Sequence, residues 1–228
     1  MIIDTVVRQH VEECAALRNV RGVLVRAPHV QLYRLRRLDE RIAGHLDGVA
    51  VSGDSGLALL EAELAEPTPA RVFALTVCAL QGRQADVLQR LMLLAAALPQ
   101  AERGFVSALG WVSSEALQGV IRALLVSTVP VHRGWALAAC AMHGVDPGAA
   151  LAQAVQDADA TVRSRAWRVA GQLGRRDLAG IAQLALSSRP ATSVPEGATQ
   201  ADDLAGRQAA AWALTLWGMG QSESVRRM

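Results

Sequence analysis

What most constrains the fold of this chain is a helical apolar period that recurs in consecutive hairpin-sized blocks. In the stretch DADATVRSRAWRVAGQLGRRDLAGIAQLAL, which begins at Asp157, the residues Val162, Ala166, Val169, Ala170 and Leu173 recur at steps of three and four and share one helical face. Asp159 and Thr161 can cap the helix start, and Gly174 follows the last apolar residue, where a left-handed terminator is favoured. Asp177 then opens a second helix with Leu178, Ile181, Leu184 and Ala185 on its apolar face. One hairpin cannot bury such a face alone, so the unit predicts neighbours that resemble it.

The neighbours are present. VPVHRGWALAACAMHGVDPGAALAQAV starts near Val129 and carries Arg133 and Trp135 where the first unit carries Arg165 and Trp167, an offset of 32 residues in both cases. AERGFVSALGWVSSEALQGVIRALLVS is a weaker copy, with Arg103, Phe105 and Ala108 in its first helix and Ser114 with Glu115 opening its second. PARVFALTVCALQGRQADVLQRLMLLAAAL reads as a hairpin over residues 69–98 with Gly82 at the turn. DDLAGRQAAAWALTLWGMG adds a further first helix over residues 204–217, closed by Gly218. The period suits a short HEAT-type repeat, and the fold class that follows is all-α: an α-solenoid, or superhelix, of HEAT-like helical hairpins.

Residues 1–66 read as an N-terminal helical cap for an array over residues 67–218. VVRQHVEECAALRNVRGVLV predicts a long helix broken at Ala27-Pro28. LYRLRRLDERIAGHLDGV predicts a second, with Leu32, Leu35, Leu38, Ile42 and Leu46 on one face and Asp47-Gly48 at its end, and SGDSGLALLEAEL a third. SSRPATSVPEGATQADD, residues 187–203, has the composition of a mobile loop, and residues 219–228 that of a frayed tail.

Composition narrows the function classes. An apolar share of 51% dominated by Ala, Leu and Val excludes a disordered chain and favours helix. A net charge of +2 excludes a molecule that is basic overall, so any basic surface must be local. Cys14, Cys78 and Cys140 lie far apart in apolar helical contexts and read as buried reduced thiols, hence a cytoplasmic protein. No export signal is evident at the start. The longest apolar run, over residues 91–99, is far short of the roughly 20 residues that cross a bilayer, so no membrane insertion is expected.

The segment RLDERIAGHLDGVAVSGDSG, preceded by VRAPHV, together with SALGW, DPG, VRSRAWRVAGQLGR and the terminal WALTLWG in that order, resembles a family of uncharacterised bacterial HEAT-repeat proteins encoded in type VI secretion gene clusters, with repeats of the phycobilisome-lyase type. The resemblance covers residues 8–218. It implies a cytoplasmic accessory role in the secretion apparatus, with secretion components as protein partners, and it assigns no functional residues.

Catalytic patterns are missing from the sequence. It holds no His-Glu dipeptide of the kind used by di-iron sites on HEAT-like scaffolds, and none of His10, His29, His45, His132 and His143 lies three or four residues from another histidine. Neither a Gly-x-Ser-x-Gly elbow nor a phosphate-binding glycine loop occurs. The chain therefore reads as a non-catalytic protein-interaction scaffold, an adaptor or assembly factor, with no enzyme activity, metal or cofactor. The candidate partner-binding residues are Arg133, Arg163, Arg165 and Arg168 on the first helices, with Arg34, Arg36 and Arg37 in the basic N-terminal cluster. For the repeat arginines the bland alternative is pairing with Asp157, Asp159 and Asp177. For the N-terminal cluster it is a solvated helix face, and the functional reading is a dock for an acidic protein partner. The rival function is a nucleic-acid-binding protein of the base-repair type, using these arginines with Trp135 and Trp167. A homodimer through the C-terminal end, at Trp212 and Trp217, is a further possibility.

Overall fold

The computed structural model describes residues 3–187 and 200–218, with side chains described outside residues 200–203. Among the described residues all regular structure is helical. The helices are α1 (Asp4–Leu24), α2 (Leu32–Val51), α3 (Gly53–Ala62), α4 (Pro69–Gln81), α5 (Ala85–Ala97), α6 (Pro99–Leu109), α7 (Val120–Leu125), α8 (Pro130–Met142), α9 (Ala149–Ala154), α10 (Ala160–Gln172), α11 (Ala179–Ser187) and α12 (Gln200–Leu216), with short 3-10 turns at Glu63–Ala65 and Arg176–Leu178. They form two compact units, residues 1–117 and 118–228. The boundary expected near residue 66 falls inside the first unit, because α1, α2 and α3 all pack onto α4.

The first unit is organised around α4. Thr68 caps it by accepting from the backbone N–H of Arg71, and Pro69 opens it with a ring already set to helical φ. Every residue from Val72 to Leu80 is buried, as expected of a helix that is apolar on all sides. Thr76, the buried polar residue of this run, satisfies its hydroxyl by donating to the carbonyl of Val72 at 2.6 Å. Glycine governs the contact with α6: a methyl added at Gly104 would lie 2.4 Å from the carbonyl oxygen of Pro69 and 3.0 Å from the backbone nitrogen of Phe73. The backbones meet there with no room for a side chain.

In the second unit α10 packs against α8 on one flank and α12 on the other, while α7, α9 and α11 lie beside α8, α10 and α12 respectively. The core between them is built mostly of Ala, Val and Leu from α10 and α12, with Trp167 and Trp217 buried in it. Gly171 repeats the role of Gly104, since a methyl there would lie 3.1 Å from the Cα of Ala213 and 2.9 Å from the Trp212 ring.

The structural period in this unit is 30 residues, not the 32 read from the Arg and Trp pairs. Pro130–Met142 and Ala160–Gln172 are the same helix shifted by 30, and the surrounding hydrogen bonds repeat at that spacing. Val129 N–H donates to Ser127 Oγ as Asp159 N–H donates to Asp157 Oδ1. Arg133 Nη1 reaches the carbonyl of Ser127 as Arg163 Nη1 reaches that of Asp157. Arg133 therefore corresponds to Arg163, and Trp135 to Arg165. The two tryptophans are not in the same slot.

Helix ends follow a common device. In α8 and α10 a glycine at positive φ, Gly144 at 64° and Gly174 at 69°, lets the next N–H return to the carbonyls of Cys140 and Ala170. In α4 the same bond runs from Gln84 N–H to Ala79; Gly82 stands at the turn as expected, and the left-handed residue is the next one, Arg83. Asp159 caps α10, accepting from the N–H groups of Thr161 and Val162. Other boundaries differ from the sequence reading. Asp47-Gly48 does not end α2, which runs to Val51. Ser114 and Glu115 lie in turns, and α7 opens only at Val120 after Gly119. On α11 Leu184 is exposed, while Ala179 and Ala182 are buried. The expected loop over residues 187–203 loses its last four residues to α12; its remainder after Ser187, like the tail at 219–228, lies outside the described residues.

Gly104→Ala should lower the stability of the first unit by about 1–3 kcal/mol through overpacking against backbone. Gly44→Ala, with open space around its Cβ position in α2, should be stabilising by about 0.5–1 kcal/mol, and denaturant midpoints of the two variants check both signs.

Candidate interaction surfaces

The arginines of the second unit divide by what they touch. Arg133 makes a bidentate pair with Asp157, Nε and Nη2 each 2.7 Å from a carboxylate oxygen, which ties α8 to the turn that leads into α10. Arg163 spends its guanidinium on the carbonyls of Asp157 and Ala158 at 2.7 and 2.8 Å. At the opposite helix ends Arg175 bridges consecutive turns, reaching Asp146 at 2.8 Å, the Gly148 carbonyl at 3.1 Å and Asp177 at 2.7 and 2.8 Å. Its hydrogen bond to Asp177 outweighs burial and, with that to Asp146, raises its pKa. Arg133 and Arg175 hold successive hairpins together, while Arg163 ties α10 to the turn that precedes it.

Arg165 and Arg168 are placed differently. Arg165 touches the Gly134 carbonyl at 3.3 Å, Arg168 is exposed, and the two line a cavity of about 210 Å³ with Ala160, Thr161, Ser164 and Ala205. Two hydroxyls and two guanidinium groups at one opening make it suited to an anionic group. Of the four candidates on the first helices, two are therefore staples and two border a cavity.

In the first unit the basic cluster also splits. Arg18 turns inward, its guanidinium 4.8 Å from the Phe73 ring centroid and bonded to Ser107, and Arg21 pairs with Asp39 to join α1 to α2. Arg34, Arg36 and Arg37 are exposed. Arg36 reaches Glu40 one turn on at 3.1 Å, with both side chains solvated, so this pair contributes little to stability. Arg34 lies against Tyr33, 3.2 Å from its hydroxyl.

Trp135 and Trp167 are 0% and 2% exposed, so neither ring has a face available to a nucleic-acid base. Trp217 is buried as well, which covers half of the apolar edge expected at the C-terminal end; Trp212 is 41% exposed. The three cysteines are free and buried. Burial pushes Cys14 up to about 12 and Cys78 up to about 11, so both thiols stay protonated and poorly nucleophilic at neutral pH. Among the described residues no three His, Cys, Asp or Glu side chains are grouped to hold a metal ion.

One pairing could not be read from spacing. His10 on α1 and His45 on α2 approach to 3.0 Å between their Nδ1 atoms, so one ring donates and the other accepts. Burial and the neighbouring His10 lower the pKa of His45. The rings fit because Gly48, directly beneath, has no side chain: its Cβ would fall 2.7 Å from His10 Nε2.

Burial alone would raise the Asp157 carboxyl, but hydrogen bonds from Arg133 and from the Asp159 N–H hold it below its ordinary 3.8. A carboxylate whose pKa is lower in the folded state contributes stability above the unfolded value and loses it as pH falls through the folded one. Asp157→Asn should thus cost about 1–3 kcal/mol near neutral pH. The gap from wild type should shrink as pH falls below about 4, which urea titrations at several pH values would follow. Against this geometry, no protein-family model matches the chain, and neither a curated protein nor a solved structure matches it significantly.

Proposed function

We propose that this protein is a non-catalytic interaction scaffold, an α-solenoid of HEAT-like hairpins that serves as an adaptor or assembly factor of a bacterial type VI secretion system in the cytoplasm. The observation that carries the scaffold reading is the cavity at Arg165 and Arg168. It lies where α10 meets α12, and of the two arginines that border it Arg165 reaches back to the Gly134 carbonyl of α8 while Arg168 is exposed and makes no ion pair with a described carboxylate. An acidic side chain of a protein partner fits that opening, as a guanidinium takes a carboxylate in two-pronged fashion. The solenoid reading is supported by the 30-residue period of α8 and α10 and by the packing of α10 between α8 and α12. The assignment to the secretion apparatus rests on the sequence resemblance.

The test is recovery of the tagged protein and an Arg168→Glu variant from native cells at low and moderate salt. Secretion-system subunits should be retained by wild type at moderate salt and lost with the variant, while its thermal midpoint stays unchanged because Arg168 is exposed. Nucleic acid recovered in their place, with affinity falling steeply as salt rises, would replace this reading by the nucleic-acid one. A monomeric mass of the purified chain by sedimentation would exclude pairing through α12.

A further inference from the structure

The hairpin of α1 and α2 ends in a tip whose chemistry the scaffold reading does not use. Four large apolar side chains flank the turn at residues 25–31 and face solvent: Val23 is 70% exposed, Val25 52%, Leu32 84% and Tyr33 53%. A lone exposed apolar residue is ordinary, but four within eleven positions form a patch. Arg26, Arg34, Arg36 and Arg37 are exposed among them.

Arg36 is paired within the tip, but the positive charge of Arg26, Arg34 and Arg37 is not balanced locally. The nearby carboxylates are already engaged, Asp39 by Arg21 and Glu40 by Arg36. Arg34 is 5.8 Å from the Tyr33 ring centroid and ion-pairs with no described carboxylate, and the same holds for Arg26 and Arg37. The clamp between Arg21 and Asp39 fixes the two helices just behind the patch, so the tip is presented on a braced hairpin.

We propose that this tip docks on an anionic phospholipid surface, with Val23, Val25, Leu32 and Tyr33 resting in the headgroup layer and Arg26, Arg34 and Arg37 meeting lipid phosphates. Apolar and tyrosine side chains ringed by arginine are the combination that an anionic bilayer interface selects. A lipid surface is the better complement than an acidic protein segment, because large exposed apolar side chains and unpaired arginines share one tip, and an anionic bilayer offers an apolar layer and phosphates together. A bilayer needs no preformed groove. No helix among the described residues is long and apolar enough to cross a membrane, so the contact is peripheral.

The experiment is co-sedimentation of the full chain with vesicles of phosphatidylcholine and phosphatidylserine, compared with vesicles of phosphatidylcholine alone. Binding to the mixed vesicles is expected, at least tenfold weaker to the neutral ones. Arg34→Ser/Arg37→Ser should weaken it by about fivefold per arginine lost. Val23→Ser/Leu32→Ser should weaken it comparably, and Arg168→Glu should leave it unchanged, which separates this site from the cavity of the scaffold reading. All three variants alter exposed side chains, and thermal midpoints matching wild type confirm that they fold. Absence of vesicle binding, equal binding to both vesicle types, or binding indifferent to both tip variants would overturn the proposal. So would tip variants that bind vesicles normally but lose secretion-system subunits, an outcome that assigns the tip to an acidic protein.

Discussion

At three places among the described residues, helix backbones come so close that a single methyl group would overlap the partner helix. Gly104 seats α6 on α4, Gly171 seats α12 on α10, and Gly56 seats α3 against the Val49 carbonyl of α2. Close approach brings many weak contacts into range at once, which is how alanine-rich helices reach the packing density of an ordinary core. It also leaves little tolerance, because the neighbouring atoms are backbone or a large ring and cannot step aside. The rest of each unit depends on these seats: α4 is enclosed by its neighbours, and α10 is held between α8 and α12.

Small side chains give little interlocking along the helix axis, so register between hairpins has to come from elsewhere. Two arginine–aspartate bridges supply it in the second unit. Arg133 fixes the N-terminal ends of α8 and α10 through Asp157, and Arg175 fixes the following turns through Asp146 and Asp177. The planar guanidinium makes two parallel bonds where an ammonium would make one, which gives these bridges direction as well as strength. Left-handed residues at Gly144 and Gly174 set the chain direction into each turn.

Much of this was legible in the sequence, and the failures have physical causes. Helices α1, α4, α5, α8 and α10 follow from apolar period, proline starts and caps, all of them local signals. The repeat offset was misjudged by two residues because tryptophan is conspicuous, whereas the true markers are modest: Ser127 and Asp157 in the turns, and Arg133 and Arg163 that reach back to them. Gly48 looked like a helix stop, yet its purpose is tertiary, to admit the His10 ring against α2. No spacing rule brings His10 to His45, since one residue on each of two helices meets only when the helices pack. Pairing of the repeat arginines with Asp157 and Asp177 was legible as an alternative, but which arginine is a staple and which is exposed was not, because it depends on which carboxylates and carbonyls the fold delivers to each.

That division is the central claim: the same residue type holds one part of the molecule together and faces outward on another. It is tested most directly by comparing thermal unfolding midpoints of two charge-neutralised variants, Arg133→Gln/Arg163→Gln and Arg34→Gln/Arg37→Gln. The first pair should lower the midpoint by about 2–4 °C for each kcal/mol of lost bridging, while the second should leave it within about a degree. A first pair that unfolds with wild type, or a second that unfolds well below it, would contradict the account.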